Sequence, residues 1–178
     1  MLLDLTRYRQ PQATFARTFA PAEVASEGET YTIVEPVALT FEILKDKDRF
    51  QLIGTVKTTL ELGCSRCLEP YRLPVASTFD LRYLPSGEAS AEHEAEIEDD
   101  DLDTSYYSDD QIDLNELMRE QFYLALPMKP LHAEDCKGIC PQCGTNRNLA
   151  PCDCNPHWED PRLAGLKTLL KRNDDAKS

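Results

Sequence analysis

The chain has 178 residues, 41% of them hydrophobic, which is enough to build one core and too many for a wholly disordered chain. The formal net charge of −13 is uneven: residues 88–116 hold 13 Asp and Glu and no Lys or Arg, and the other 19 acids balance the 19 bases. Such a body does not exclude nucleic acid as a partner, although the acidic stretch repels phosphate, and no run of 18 apolar residues exists to cross a membrane.

The opening Met1-Leu2-Leu3-Asp4-Leu5 has an early acid and no long apolar stretch, unlike a secretory signal. This predicts a cytoplasmic protein with reduced thiols. Leu3, Leu5 and Tyr8 suit a short strand, Ala20 to Glu29 reads as a loop, and Tyr31 to Val37 as another strand. Leu39, Phe41 and Ile43 then alternate, and Lys45-Asp46-Lys47-Asp48 is a polar turn. Phe50, Leu52, Val56, Leu60 and Leu62 hold even positions, and after Cys64–Cys67 the residues Leu73, Val75, Phe79, Leu81 and Tyr83 hold odd ones. A period of two buries one face, so three long strands joined by short turns form an antiparallel meander.

An acidic, apolar-poor stretch follows and reads as a mobile loop. Asp113 then caps a helix, with Glu116 three residues on, and Leu114, Leu117, Met118, Gln121, Leu124 and Ala125 trace its stripe up to Pro127. Asp160-Pro161 opens a second helix, with Leu163, Leu166, Leu169 and Leu170 on one face. The predicted class is therefore α+β: an antiparallel β-meander core with a helix packed on it, a C-terminal zinc knuckle and a terminal helix. A β-rich part spans 1–84, an acidic flexible loop 85–112, and the helix, the Cys-rich knuckle and the C-terminal helix 113–178, all in one composite domain.

Chemistry concentrates in seven cysteines. Cys140-Pro-Gln-Cys143-Gly and Cys152-Asp-Cys154 offer four thiolates in one short loop, the donor set of a structural zinc site. Gly144, Asn146 and Asn148 give that loop backbone latitude. So many thiols among polar neighbours make a poor core. Cys136 is an alternative ligand in place of Cys152 or Cys154. Cys64-Ser-Arg-Cys67 joins two alternating strands, whereas a redox dithiol normally opens a helix in a βαβ unit. Its readings are half a metal site, a structural thiol pair, or a redox pair. Seven Cys plus His132 make eight donors, enough for two four-coordinate sites, with Cys64, Cys67, His132 and Cys136 as the second. His157, beside Trp158, suits packing on the knuckle, and His93 a solvated place in the acidic stretch. No phosphate-binding glycine loop, nucleophile elbow or Ser/His/Asp order is present.

Leu62-Gly63-Cys64-Ser65-Arg66-Cys67-Leu68-Glu69-Pro70 resembles the signature of the YceD family, the large ribosomal RNA subunit accumulation proteins. Ile112-Asp113-Leu114 to Glu116, Leu124-Ala125-Leu126-Pro127 with Pro130, Cys136 to Asn146, and Cys152-Asp153-Cys154 also fit, so the resemblance spans roughly residues 36–170. It implies a role in accumulation of large-subunit (23S) ribosomal RNA, in a family with no established catalytic activity. Some members carry Cys at the position of His132, and others lack the later knuckle. That implies Cys64, Cys67, His132 and Cys136 as one unit and the later four cysteines as an optional second.

The sequence thus predicts a non-enzymatic, zinc-stabilised ribosome biogenesis factor. Its expected partners are a large-subunit RNA precursor, a basic ribosomal protein, or both. Arg7, Arg9, Arg17, Lys167, Lys171 and Arg172 are the candidate RNA contacts. The competing readings are a thiol-disulfide protein using Cys64 and Cys67, and a zinc-ribbon adaptor in transcription.

Overall fold

The computed structural model describes residues 1–25, 28–86 and 104–154. It is a mixed α+β chain dominated by antiparallel strands. In order these are β1 (Leu2–Asp4), β2 (Gln12–Phe19), the one-turn helix α1 (Pro21–Val24), β3 (Thr32–Ile33), β4 (Val37–Asp46), β5 (Arg49–Gly63), β6 (Pro70–Pro85), β7 (Thr104–Tyr107), β8 (Gln111–Asp113) and α2 (Leu114–Ala125). No helix among the described residues is long and apolar enough to cross a membrane. The chain falls into two compact units, Met1–Ser65 with Glu69–His132, and Arg66–Leu68 with the described residues from Ala133 onward.

In the first unit β2, β4, β5, β6 and β7 lie side by side in that order, with β3 also paired to β5, and β1 pairs with β8 in a separate ribbon. The expected meander is β4-β5-β6, paired antiparallel throughout. The even positions of β5, Phe50, Leu52, Val56, Leu60 and Leu62, are buried, as are Val75, Phe79 and Tyr83 on the odd positions of β6. The β4–β5 turn is tighter than its four polar residues suggest, with Lys47 at φ 56° between strands that end at Asp46 and restart at Arg49.

The ends of the first unit differ from expectation. β2 is a strand the alternation did not single out, because only Phe19 is buried and Arg17 interrupts the apolar face. Its guanidinium sits 4.7 Å from the centre of the Phe19 ring. Pro21 to Val24 is a turn of helix within the expected loop, Glu23 accepting the Ala20 N–H at 2.8 Å. The stretch 85–112 is only partly open to description, since 87–103 lie outside the described residues. Beyond them, β7 runs parallel to the end of β6, pairing Arg82 with Thr104 and Pro85 with Tyr107. Tyr107 and Ile112 are buried there, and the surrounding acids mask this short apolar signal in a composition count. The predicted helix after Asp160 and His157 also lie outside the described residues.

Asp113 caps α2 as predicted, accepting the Asn115 N–H at 2.8 Å. Leu114, Leu117, Met118, Gln121 and Phe122 form the buried face, packed on β6 and β1. Leu124, assigned to that stripe by spacing, is 78% exposed, and Phe122 takes its place. Phe122 lies one turn beyond Met118 on that face, whereas Leu124, two turns beyond Leu117, sits at the edge of the face in the last turn of α2. Buried Gln121 accepts from Ser77 Oγ at 2.8 Å, which spares it the cost of an unmet amide oxygen. Truncating Phe122 to Ala is expected to cost about 3–5 kcal/mol.

The centre of the sheet depends on one missing side chain. Phe15, Phe41, Gly54 and Phe79 stand opposite one another on four neighbouring strands. Phe15 and Phe41 stack at 4.7 Å and Phe41 and Phe79 sit 6.2 Å apart, closing over the gap at Gly54. A Cβ there would meet Phe41 Cβ and Thr40 O at 2.3 Å. Gly54→Ala is therefore expected to destabilise the protein by about 1–3 kcal/mol through overpacking, measured by denaturant unfolding. An unchanged midpoint would show that the strands part at no cost.

Candidate metal centres

Two groups of four side chains bring their ligand atoms within 4.8 Å of one another: Cys64, Cys67, His132 and Cys136, and Cys140, Cys143, Cys152 and Cys154. All seven cysteines are free thiols. A tetrahedral zinc with sulfur at about 2.3 Å places its donors about 3.8 Å apart, so both groups lie close to the spacing such an ion needs. Thiolate and imidazole are soft and borderline donors that suit zinc better than magnesium or calcium. These Cys/His groups could therefore hold a metal ion.

Backbone hydrogen bonds build each Cys-x2-Cys turn. Cys140 N–H donates to Thr145 O at 2.8 Å, and Cys64 N–H donates to Glu69 O at 2.9 Å, the same five-residue span. The residue after the second cysteine is left-handed in both, Gly144 at φ 73° and Leu68 at φ 65°. The two turns are thus one conformation written in different residues. In each, the residue after the second Cys turns the chain back instead of continuing into a helix. That separates Cys64-x2-Cys67 from a helix-opening redox dithiol.

The second unit locks its own ligands. Arg66 Nη1 donates to the carbonyls of Glu134 and Cys136, each at 3.0 Å, and Arg66 O accepts from Ile139 N–H at 3.0 Å. Gly138, at φ 70°, passes so close to Arg66 that a Cβ would lie 3.0 Å from its carbonyl oxygen. Arg147 N–H closes the loop on Gly138 O at 2.9 Å, and Ile139 bridges to Asn146. Asn148 Oδ1 accepts from Lys137 N–H at 2.8 Å, and its Nδ2 lies 3.4 Å from Cys136 Sγ. An N–H aimed at sulfur stabilises the thiolate, so Asn148 supports a ligand of the other group. Sequence reading gave Asn148 to loop flexibility and Arg66 no role. An Arg inside a Cys-x2-Cys turn was the available signal.

Cys64, Cys67, Cys136 and Cys140 are buried, whereas Cys143 and His132 are exposed. Thr145 Oγ1 lies 3.2 Å from Cys143 Sγ. Hydrogen bonds from the Thr145 side chain and backbone, with help from Cys140, bring the Cys143 thiol down to about 6. Cys154 is pushed up to about 12, first by its hydrogen bond with Cys143 and then by burial. Four thiols this close cannot all ionise together, and a dication removes that conflict.

Cys136 lies in the group with Cys64, Cys67 and His132. Arg7 is paired with Asp4 at 3.0 Å and Arg17 with Glu23 at 3.3 Å. Arg9 is exposed, and Lys167, Lys171 and Arg172 lie outside the described residues.

The family model described as large ribosomal RNA subunit accumulation protein YceD matches residues 52–170, a span that includes both cysteine groups. A maize protein named large ribosomal RNA subunit accumulation protein YCED homolog 1, chloroplastic, is 27% identical over 162 residues, covering 76% of this chain and 54% of its own. Its Arabidopsis thaliana counterpart is 26% identical over 170 residues, covering 84% and 53%. The chain thus spans about half the length of these plant relatives. An uncharacterised protein of Bacillus subtilis is 33% identical over 125 residues, 68% of this chain and 67% of its own. No solved structure matches the chain.

The shared turn conformation makes opposite substitutions informative. Leu68→Gly is expected to stabilise the protein by about 1 kcal/mol by relieving a left-handed non-glycine, and Gly144→Ala to destabilise it by a similar amount. Unfolding midpoints of the two variants moving in the same direction would refute the shared geometry. Asn148→Ala is expected to weaken metal retention at the Cys136 group about tenfold or more in a chelator competition, with the fold intact.

Proposed function

The chain belongs to the YceD family, and on that premise we propose that it is a non-enzymatic factor supporting accumulation of the large-subunit ribosomal RNA. Family membership across both cysteine groups is the observation that carries this reading. Zinc is the proposed metal at both groups, with Cys64, Cys67, His132 and Cys136 at one and Cys140, Cys143, Cys152 and Cys154 at the other. Its role would be structural: four protein donors leave no open position for a reacting water. Folding energy of this kind is large, about 10–16 kcal/mol in zinc-finger peptides near neutral pH.

Its partners would be a precursor of the large-subunit RNA, an early basic ribosomal protein, or both, met in the cytoplasm. RNA contact would run through Arg7, Arg9, Arg17, Lys167, Lys171 and Arg172, since cationic side chains neutralise phosphate whatever the sequence. Arg9 is exposed and forms no ion pair among the described residues, so of Arg7, Arg9 and Arg17 it would be the one most readily given to phosphate.

Protein purified under reducing conditions is expected to carry two zinc ions per chain by elemental analysis, matching the two groups. Traces of zinc alone would overturn the metal assignment. Deleting the gene is expected to lower large-subunit relative to small-subunit ribosomal RNA, most clearly in the cold. Replacing Cys64 and Cys67 by Ser should reproduce part of that loss, because a hydroxyl does not substitute for the thiolate ligand. A normal RNA ratio in the deletion strain would refute the assembly reading.

A further inference from the structure

A second chemical feature lies away from the cysteines, in the first unit. Where α2 leaves β8 and crosses the end of β6, a cavity of about 390 Å³ opens between Tyr83, Tyr106, Asp109, Glu116 and Glu120, with Leu2 at its edge. No Lys or Arg lines it. Glu116 and Glu120 stand one helical turn apart on the same face of α2, and neither carboxylate holds an ion pair or hydrogen bond among the described residues. Asp113, beside them, is already used as the helix cap.

Acidic side chains alone would say little, because solvated carboxylates are common. Tyr83 changes the argument. It is only 7% exposed, it lines the cavity, and its hydroxyl has no partner among the described residues. The side chain is packed away while its hydroxyl oxygen, not itself sealed from solvent, opens on a space able to hold a hydrogen-bond partner. Burial and then the carboxylates of Glu120 and Glu116 push its ionisation well above the usual range, so it stays a neutral phenol. Burial and Glu116 also raise Glu120, two like charges pressed together without a counter-charge.

We propose that this cavity receives an arginine side chain presented by a basic polypeptide. The guanidinium carries a delocalised positive charge and a planar fork of donors, which can meet both glutamates and the Tyr83 oxygen together. Tyr106, 54% exposed at the rim, offers an aromatic face for the same cation, and Leu2, 59% exposed, offers apolar contact to a flanking residue. A bare divalent ion suits the place poorly. Among the described residues the only groups of three or more Asp, Glu, His or Cys converging within 4.8 Å are the two cysteine sites, so three carboxylates do not close on one point here. The inference deepens the assembly reading by naming where a basic protein partner would seat, and it rests on that reading only for the partner's identity.

The test uses the full-length chain and a fluorescein-labelled arginine-rich peptide, with anisotropy read at physiological ionic strength. Glu116→Gln combined with Glu120→Gln is expected to weaken binding about tenfold or more. Tyr83→Phe should weaken it about threefold to tenfold with thermal stability retained, and exchanging Arg for Lys throughout the peptide should weaken it too. The control Glu42→Gln with Asp46→Asn removes the same charge outside the cavity and should leave affinity within about twofold. Equal losses in the pocket and control variants would mean that general acidity carries the binding and would overturn the proposal. So would calcium or magnesium shifting the NMR signals of Glu116 and Glu120 while the peptide leaves them unmoved. Failure here would leave the ribosomal RNA ratio of the deletion strain untouched, so the two readings fail separately.

Discussion

The hydrogen bond from Cys64 N–H to Glu69 O, at 2.9 Å, joins the ends of the two longest strands and sets two thiols on one side of a turn. β5 and β6 pair over fourteen positions, from Phe50 with Tyr83 to Gly63 with Pro70, so the register of the whole hairpin runs into this closure. A slip by one residue would reverse which side chains face the core and move the cysteines off their turn together. Fold and ligand placement therefore share a single constraint. Leu68, held at φ 65° although a non-glycine residue resists that conformation, marks where the backbone yields to it.

The same turn recurs at Cys140 to Thr145. There the strands are absent, and a net of short polar contacts through Asn146 and Asn148 takes their place. This second group contains one buried cysteine, Cys140, whereas all three cysteines of the first are buried. Among the described residues none after Ala133 belongs to the hydrophobic core, so the order of 134–154 relies on donors, acceptors and the chemistry of its thiols. A metal that binds only the folded ligand set stabilises such a region directly.

Charge is partitioned as sharply as the thiols. The 13 acids between 88 and 116 have no base among them, and the described end of that stretch forms β7, β8 and the start of α2. Its apolar residues, Tyr107, Ile112 and Leu114, go inward and its carboxylates outward. Asp109, Asp110, Asp113 and Glu116, the described acids of this stretch, are all exposed. Arg119, the first base after this stretch, is committed to Glu29 at 2.8 Å, whose carboxylate also accepts from the Tyr123 hydroxyl. It therefore fixes the loop before β3 to α2 and does not neutralise Glu116 or Glu120.

Much of this was open to reading from the residues. Alternation over 39–83 set the three central strands and their buried face, because a pleat has a strict period of two. Asp113 marked the start of α2, since a carboxylate at that place meets a backbone N–H that would otherwise go unmet. Cysteine spacing identified metal-type donors, because a turn that aims two sulfurs at one ion is local in sequence. The parallel seat of β7, the gap closed by phenylalanines over Gly54 and the cavity facing Tyr83 were not local. Each depends on segments tens of residues apart meeting in space. Periodicity and spacing carry information over one or two turns of chain, whereas these placements follow from which hydrogen bonds and buried contacts close over long range. The sequence by itself determined the elements and the kinds of ligand, and only the tertiary structure decided which of them stand together.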